Sequence, residues 1–236
     1  MTTHESLPGR TGAPVVLTCE HAVETLPAPW SWPEADQRLL GTHWSHDLGI
    51  ADLVRTLAAR TEWPATLCGF SRLLVDPNRA PDQDNLFRTL ADGEPIAFNQ
   101  DLSADERARR MAFHAGYHTA VDAMVAKTHG ATVFSLHSFT PNYEGQTRNM
   151  ELGVLFNHDE GPAVRLAEHL DQAGWKVELN APWSGREGLM YAPDRHALAH
   201  RRTSLELEVR QDRAVLPDIR ARLANDLARF FEPERT

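Results

Sequence analysis

The stretch Pro14-Val-Val-Leu-Thr-Cys-Glu-His21 contains the clearest structural signal in the chain. Its first six residues are mostly apolar or β-branched, and a short run of this kind predicts a strand buried on both faces. Ala131-Thr-Val-Phe-Ser-Leu-His137 repeats the pattern, since it is a second apolar run that ends in a histidine. Strands buried on both faces are typical of parallel sheets with helices on either side. We therefore expect both runs at the centre of an α/β sheet.

Helices and further strands alternate along the rest of the chain. Apolar residues at helical spacing predict helices at about 47–60, 103–127, 162–173 and 217–231. Strands are predicted within 65–75 (one or two), 152–156, 176–179 and 204–209, with a loop over 180–188. Ser103 and Glu106 form a capping box at the start of the longest helix. The alternation predicts a mixed, largely parallel sheet flanked by helices. We expect a single domain over residues 1–236, with its core at about 14–231.

Composition excludes several kinds of partner. With 24 Lys and Arg against 33 Asp and Glu, the formal net charge is −9, which disfavours nucleic acid or an anionic membrane as a partner. Cys19 and Cys68 are far apart in the sequence, which indicates reduced thiols. No apolar run approaches the ~18 residues of a membrane span, and the polar N-terminus lacks the apolar segment of a signal peptide. We expect a cytoplasmic protein with a small-molecule substrate. The sequence leaves the oligomeric state open.

His21 and His137 are the first candidates for a metal site. Either histidine alone would more often be an ordinary hydrogen-bonded residue, but each follows a predicted buried strand, and the carboxyl ends of neighbouring strands meet at one edge of a sheet. Glu24, three residues after His21, adds a carboxylate, and two imidazoles with one carboxylate form the ligand set of a catalytic zinc site. We therefore predict His21, Glu24 and His137 as ligands of one divalent ion, Zn²⁺. Glu20 and Asp47 are alternatives for the carboxylate ligand.

Two arginines and an asparagine surround a proline turn in Ser71-Arg-Leu-Leu-Val-Asp-Pro-Asn-Arg79. A guanidinium group binds a carboxylate through a bidentate fork, and an asparagine amide adds a donor. Asn78 and Arg79 are therefore candidates for binding a substrate carboxylate. Arg72 could instead face the scissile carbonyl and stabilise the negative charge that develops on its oxygen. The alternative is a purely structural network in which the arginines pair with Asp76, Asp82 or Asp84.

The strand Ser204-Leu-Glu-Leu-Glu-Val-Arg210 alternates leucines with glutamates. Because successive side chains of a strand point to opposite faces, Glu206, Glu208 and Arg210 share one face. A carboxylate poised beside a metal-bound water is what a general base requires. We predict Glu208 as the base and keep Glu206 as an alternative. A structural Glu–Arg pair on an edge strand would also explain the pattern.

Six ordered motifs resemble the N-formylglutamate amidohydrolase family. They are Val15-Val-Leu-Thr-Cys-Glu-His-Ala22, Asp47-Leu-Gly49, Ser71-Arg-Leu-Leu-Val-Asp-Pro-Asn-Arg79, His137-Ser-Phe-Thr-Pro141, Asn180-Ala-Pro-Trp-Ser-Gly185 and Glu208-Val-Arg-Gln-Asp212. Together they extend over roughly residues 14 to 213. This family looks related to zinc carboxypeptidases and aspartoacylase-type deacylases. The resemblance therefore implies a phosphorylase/hydrolase-like sheet of the zinc-peptidase kind.

The resemblance also implies roles for individual residues. His21 and His137 match the metal-ligand histidines, and Asn78-Arg79 matches the pair that grips the substrate carboxylate. Arg72 resembles the arginine that polarises the scissile carbonyl. Glu208 resembles the glutamate that acts first as base and then as acid to the leaving amine. Arg148, His114, Tyr117, His118 and His196 also lie in segments that look family-like. We predict Arg148 as a substrate-binding residue, whereas each of the other four is either a substrate contact or a packing residue.

Two positions depart from the family pattern. Many members have Asn where this chain has Glu24, so the resemblance does not settle the third ligand. Trp183 stands where a Tyr is expected in a Pro-Tyr-Ser-Gly loop. If that loop lines the pocket, the substrate preference would differ from that of the family.

The function that the resemblance implies is a metal-dependent hydrolysis. The substrate would be N-formyl-L-glutamate or a similar N-acyl acidic amino acid, and the products formate or a short carboxylate and the free amino acid. Histidine degradation is the pathway associated with such an activity, although the residues themselves do not specify a pathway. One alternative is another N-acyl amino acid amidase or a carboxypeptidase-like hydrolase on the same fold. The other is a non-catalytic protein that binds a small carboxylate.

Overall fold

The computed structural model describes residues 2–143 and 145–232. Its strands are β1 His4–Leu7, β2 Val15–Cys19, β3 Ala65–Cys68, β4 Leu90–Ala91, β5 Glu94–Pro95, β6 Thr132–Phe139, β7 Asn142–Tyr143, β8 Gln146–Thr147, β9 Leu152–Leu155, β10 Val177–Leu179 and β11 Ser204–Arg210. Its α-helices are α1 Ile50–Thr61, α2 Ala104–Lys127, α3 Glu160–Gln172, α4 Tyr191–His200, α5 Gln211–Ala214 and α6 Pro217–Phe231. Four 3₁₀ helices cover Glu34–Leu39, Asp84–Phe87, Ala97–Asn99 and Gly185–Glu187.

Seven strands form the main sheet, in the order β1-β3-β2-β6-β11-β9-β10. The four pairings β3–β2, β2–β6, β6–β11 and β9–β10 are parallel, whereas β1–β3 and β11–β9 are antiparallel. The expected mixed, largely parallel sheet is thereby confirmed. Of the two predicted metal-site histidines, His21 follows β2 and His137 lies within β6, and these two strands are direct neighbours.

Both faces of the sheet are covered by helices, as the apolar runs of β2 and β6 predict. Val15 and Leu17 pack with residues of α1, α3 and α6, whereas Val16 packs with residues of α2 and α4. The alternation along β2 thus places consecutive side chains in two separate cores. None of the helices in the described ranges is both long and apolar enough to cross a membrane.

One predicted strand is shorter than expected, and β1, α4 and several shorter elements were not predicted. Within 65–75 only Ala65–Cys68 is a strand, and a turn closed by the Leu74 N–H donating to the Ser71 carbonyl follows. The apolar residues after Arg72 are buried consecutively because they lie on this turn, so their burial does not alternate. The strand β1 is polar in sequence and forms because its backbone completes the edge at β3. The helix α4 has no clear apolar stripe.

Gly153 in β9 allows a close approach of two chain segments beside β11. A Cβ added at this position would lie 1.8 Å from the carbonyl oxygen of Ala181. We therefore expect Gly153→Ala to destabilise the fold by at least about 2 kcal/mol, because backbone has to move to relieve the overlap. A differential scanning calorimetry experiment should show Tm lowered by roughly 5 °C. Gly161→Ala is the matched control, since its Cβ would meet only the end of the Arg165 side chain at 3.5 Å. Equal Tm values for the two variants would contradict this expectation.

Candidate active site

A cavity of about 240 Å³ opens at the edge of the sheet where β2, β6 and β11 carry polar side chains. Most of the residues that the sequence singled out line this cavity, namely His21, Asp47, Arg72, Asn78, Arg79, His137, Arg148, Trp183, Glu206 and Glu208. They come from seven separate segments of the chain, and the parallel order of the central strands brings them together. The candidate residues predicted from separate motifs therefore line a single cavity.

The centre of the site is a buried cluster of His21, Asp47 and His137. The Oδ2 atom of Asp47 lies 2.9 Å from Nδ1 of His137 and 3.5 Å from Nδ1 of His21. One donor atom from each of the three residues lies within 4.8 Å of the others, so the group could hold a metal ion. The Asp47 carboxylate also accepts a hydrogen bond from the backbone N–H of Ser138. Asp47 thus does not cap α1, which begins at Ile50 after Gly49.

The outer nitrogen of each histidine faces a further carboxylate. Nε2 of His21 lies 2.8 Å from Oδ1 of Asp76, and Nε2 of His137 lies 3.0 Å from Oε2 of Glu20. Burial opposes ionisation of Glu20, but hydrogen bonds from His137, Ser135 and Tyr117 lower its pKa to about 2. Such carboxylate partners fix the ring orientation of metal-binding histidines and leave the inner nitrogen for the metal. In this site the inner nitrogens are the two Nδ1 atoms that face Asp47.

Two observations indicate that this cluster suits a cation. Both ring nitrogens of His137 face carboxylates, so the ring needs either a second proton or a positive ion beside it. Although burial disfavours the charged ring, Glu206, Asp47 and Glu20 together raise the pKa of His137 well above its usual value. Nδ1 of His21 is buried and has no hydrogen-bond partner among the described residues. A divalent ion among the three donors would satisfy both histidines.

Glu24 lies apart from this cluster. Its carboxylate accepts hydrogen bonds from the backbone N–H of Gly41 at 2.6 Å and from the Ser45 hydroxyl at 3.3 Å. The chain after β2 is irregular, so the three-residue spacing from His21 does not return Glu24 to the histidines. The structure brings Asp47, one of the two alternatives for the carboxylate ligand, to the position beside both Nδ1 atoms. The other alternative, Glu20, is behind His137.

Glu206 and Glu208 lie on the cavity face of β11, as their alternation with leucines predicts. Glu208 is paired with His137 across the β6–β11 ladder. Burial raises the pKa of Glu206 to about 7 and that of Glu208 to about 8. The Asn78 amide donates to Glu206, whereas Oε2 of Glu208 is buried without a partner among the described residues. A carboxyl group that titrates near neutrality and has an unused oxygen is suited to proton transfer.

A structural Glu–Arg pair does not account for these glutamates. The strand β11 is interior, since it lies between β6 and β9. Arg210 forms its ion pair with Asp212 at 2.7 Å and donates to backbone carbonyls, so it does not neutralise either glutamate.

The arginines of the 71–79 motif differ in their partners. Arg72 donates to Asp76 at 2.8 Å and lies 3.6 Å from Asp47, so its guanidinium supports the carboxylates of the cluster. The Arg72–Asp76 pair matches the structural network that the sequence offered as the alternative to a catalytic role. Arg79 donates only to the carbonyl of Asn78, and its Nε is buried without a partner among the described residues. Arg79 is therefore the more available cation of the two.

The Asn78 side chain is already engaged by the protein. Its amide nitrogen donates to the Leu189 carbonyl and to Glu206, at 3.2 and 3.3 Å. Its amide oxygen accepts from the backbone N–H of Ala192 at 3.0 Å. Asn78 thus ties the 76–79 turn to β11 and to the start of α4, although it also faces the cavity.

Arg148 and Trp183 form an aromatic and cationic wall at the other side of the cavity. The Arg148 guanidinium lies 5.0 Å from the Trp183 ring and 4.9 Å from the Tyr143 ring. Contacts at this distance orient the cation and add about 1 kcal/mol each. The loop that carries Trp183 therefore does line the pocket, and a large indole ring occupies the position where the family pattern has Tyr.

His114 and His118 of α2 and His196 of α4 lie outside the cavity of the candidate site. Nε2 of His114 lies 3.0 Å from the Arg79 carbonyl, and Nε2 of His118 lies 3.1 Å from the Pro77 carbonyl. His196 contacts the second ring nitrogen of His118 at 2.9 Å. These three residues line a separate cavity, and Tyr117 donates to Glu20. Their contacts therefore position the 77–79 turn and Glu20, but they do not line the cavity that contains His21 and His137.

Several lining residues were not predicted from the sequence, namely His43, Trp44, Asn85 and Arg88. Asn85 lies in the short 3₁₀ helix Asp84–Phe87 and the other three lie in irregular segments, so neither an apolar period nor a capping signal marks them. Only the fold brings these segments to the cavity. The Arg88 guanidinium lies 4.5 Å from the centre of the Trp44 ring.

The chain resembles known proteins in both sequence and fold. The sequence profile described as N-formylglutamate amidohydrolase matches residues 13–214. The structure of gene product Atu2144 from Agrobacterium tumefaciens aligns with a TM-score of 0.91 at 25% identity, covering 98% of this chain and 94% of that one. N-formylglutamate amidohydrolase from Ralstonia eutropha JMP134 aligns with a TM-score of 0.70 at 20% identity, covering 98% and 96%. None of the curated protein sequences matches this chain significantly.

Proposed function

The chain belongs to the N-formylglutamate amidohydrolase family, and on this premise we propose that it hydrolyses the amide of N-formyl-L-glutamate or a similar N-acyl acidic amino acid. The products are formate, or a short carboxylate, and the free amino acid. One observation carries the proposal: Glu208, whose Oε2 has no partner among the described residues, lines the same cavity as the His21–Asp47–His137 cluster and Arg79. A base, a cation-binding group and an anchor for a carboxylate are the parts that such a hydrolysis requires.

We propose His21, Asp47 and His137 as the ligands of one Zn²⁺. Support comes from the two Nδ1 atoms that face Asp47, of which Nδ1 of His21 has no hydrogen-bond partner in the described part of the chain. Two imidazoles and one carboxylate form a common ligand set for catalytic zinc. When bound, such an ion polarises a carbonyl and lowers the pKa of bound water. In this proposal Asp47 takes the place that the His-x-x-Glu spacing suggested for Glu24.

The protein's own residues have distinct roles in the proposed reaction. Glu208 takes a proton from the attacking water as the new C–O bond forms, and transfers it to the amine nitrogen as the C–N bond breaks. Arg72, held by Asp76, lies at the cluster where the carbonyl oxygen gains negative charge. Arg79 and Arg148, which both line the cavity, bind the α-carboxylate of the substrate. Asn78 fixes the turn that carries Arg79, since its amide is already bonded to the protein.

Trp183 favours a second candidate with the same chemistry. Its indole ring lines the cavity beside Arg148, so the site is partly aromatic. An aromatic wall suits an N-acyl group larger than formyl, because apolar surface is buried there on binding. Rates with N-formyl, N-acetyl and N-benzoyl glutamate would rank the acyl groups, and a preference for formyl would exclude this candidate.

The proposed function predicts that formate release depends on the metal. We expect the purified enzyme to release formate from N-formyl-L-glutamate, to lose this activity after chelation and dialysis, and to regain it with Zn²⁺. A formate dehydrogenase assay coupled to NADH measures the rate, and elemental analysis of the same sample measures the metal. Full activity in a sample shown to be free of metal would contradict the proposed site.

A further inference from the structure

Arg88 is a cavity residue to which neither the sequence motifs nor the proposed reaction assign a role. It follows the 3₁₀ helix Asp84–Phe87 and is half-buried at the cavity wall. Its Nε atom donates to the Leu90 carbonyl at 3.0 Å, and its guanidinium lies over the Trp44 ring. The His43 ring packs against the same indole, with ring centres 4.4 Å apart. The position of the Arg88 cation is therefore well defined.

The cavity contains more positive charge than its own carboxylates neutralise. Arg72 is paired with Asp76 and Asp47. Within the described ranges, no carboxylate lies within 4 Å of the guanidinium groups of Arg79, Arg88 and Arg148, although all three line the cavity. Arginines that converge on a pocket without acidic partners are suited to binding an anion. Two arginines are sufficient to bind one carboxylate, so the third is available for a second anionic group.

The three arginines differ in which of their N–H groups already bond to the protein. Arg79 uses a terminal nitrogen to bind the Asn78 carbonyl, and Arg148 uses one to bind Thr140. The hydrogen bond that orients Arg88 is made through Nε, and neither terminal nitrogen has a partner among the described residues. Both terminal N–H groups can therefore form two parallel bonds to one carboxylate, which is the strongest arrangement for this pair.

Neighbouring charges also favour an anion at this position. Burial, with Arg72 and Arg79 as like charges nearby, lowers the pKa of Arg88 from its usual value. A bound carboxylate would relieve this repulsion. Arg148 lies on another side of the cavity, where Glu208 is a neighbouring charge.

We propose that Arg88 binds a second carboxylate of the substrate, that of the amino acid side chain, and thereby selects acidic over neutral N-acyl amino acids. The proposal rests on the proposed function, in which Arg79 and Arg148 hold the α-carboxylate. The Trp44 ring holds the guanidinium in place before the substrate arrives, so little conformational freedom is lost on binding. A charge-assisted hydrogen-bonding pair contributes about 1.5–3 kcal/mol, which corresponds to roughly a 10- to 100-fold difference in kcat/KM.

The test compares N-formyl-L-glutamate with its neutral isostere N-formyl-L-glutamine. We expect Arg88→Met to lower kcat/KM for the glutamate substrate by roughly 10- to 100-fold, while the value for glutamine changes less than about threefold. Arg88→Lys should restore part of the preference because it keeps the charge. Arg107→Met is the matched control: Arg107 also lies over an aromatic ring, that of Phe87, but is exposed on α2 away from the cavity. An equal loss on both substrates would overturn the proposal.

A binding experiment separates this proposal from the proposed function. Isothermal titration calorimetry with glutarate and with its monoamide requires no turnover. We expect the wild type to bind glutarate at least tenfold more tightly, and Arg88→Met to bind the two ligands equally. If no N-formyl amino acid is hydrolysed but glutarate binding depends on Arg88, the reaction is wrong and the second carboxylate site stands. If Arg88→Met leaves glutarate binding unchanged, the site is wrong whatever the enzyme hydrolyses.

Discussion

Glu208→Gln is expected to lower kcat for hydrolysis of N-formyl-L-glutamate by about 10²–10⁴-fold, the range measured when a general acid–base group is lost. The reason is chemical, because Gln keeps the size and one acceptor oxygen of Glu208 but cannot take a proton from water. The change is also mild for the fold. Oε2 of Glu208 has no hydrogen-bond partner among the described residues, so the substitution breaks no observed bond at that atom.

Two control variants are compared with Glu208→Gln. Glu206→Gln tests the other glutamate on the same face of β11, and we expect a smaller loss because that carboxylate is bonded by Asn78. Glu178→Gln, on the exposed edge strand β10, should leave kcat unchanged. The readouts are kcat from initial rates, metal content and the far-ultraviolet circular dichroism spectrum. If Glu206→Gln is the more severe variant, Glu206 is the base. If Glu208→Gln retains the wild-type kcat with normal metal content, the proposed mechanism fails.

The sheet could be predicted from the sequence because its central strands are apolar on both faces. Runs such as 14–19 and 131–136 have few alternative structures, since exposing them to water would be unfavourable. Their pairing as neighbours does not follow from sequence spacing, because β3 and the helices α1 and α2 lie between β2 and β6 in the chain. The edge strand β1 has no such signal, because its polar residues pair through the backbone alone.

The site was predictable where its residues lie on or directly after those strands. The strands themselves determine the positions of His21, His137, Glu206 and Glu208, and the order β2-β6-β11 in the sheet brings them to one cavity. Asp47, Arg88 and Trp44 reach the cavity from loops, and their positions depend on how those loops pack. The preference for Glu24 arose from a local spacing, whereas the carboxylate beside the histidines comes from a residue 26 positions after His21.

Substitutions at Asp47 and Glu24 are expected to differ in their effect on metal binding, because only Asp47 lies beside both histidines. We expect Asp47→Asn to weaken Zn²⁺ binding by more than about 100-fold, since even the loss of an outer partner of a ligand costs 10- to 100-fold. Glu24→Gln should bind Zn²⁺ as the wild type does, because its carboxylate contacts Gly41 and Ser45 and lies apart from the cluster. Dialysis against a buffered free Zn²⁺ concentration, followed by elemental analysis, measures the stoichiometry of each variant.

The Asp47 carboxylate also accepts a hydrogen bond from the backbone of Ser138, so a loss of metal after Asp47→Asn could follow from a damaged fold. His21→Gln resolves this, because it removes Nδ1, which has no protein partner among the described residues, while the Gln amide can replace Nε2 as the donor to Asp76. Bound metal also stabilises the native state by about 2.7 kcal/mol at 100 times Kd. Zn²⁺ should therefore raise Tm of the wild type and of Glu24→Gln, but not of Asp47→Asn or His21→Gln. The opposite pattern, with metal lost in Glu24→Gln and retained in Asp47→Asn, would identify Glu24 as the ligand and contradict the site proposed from the geometry.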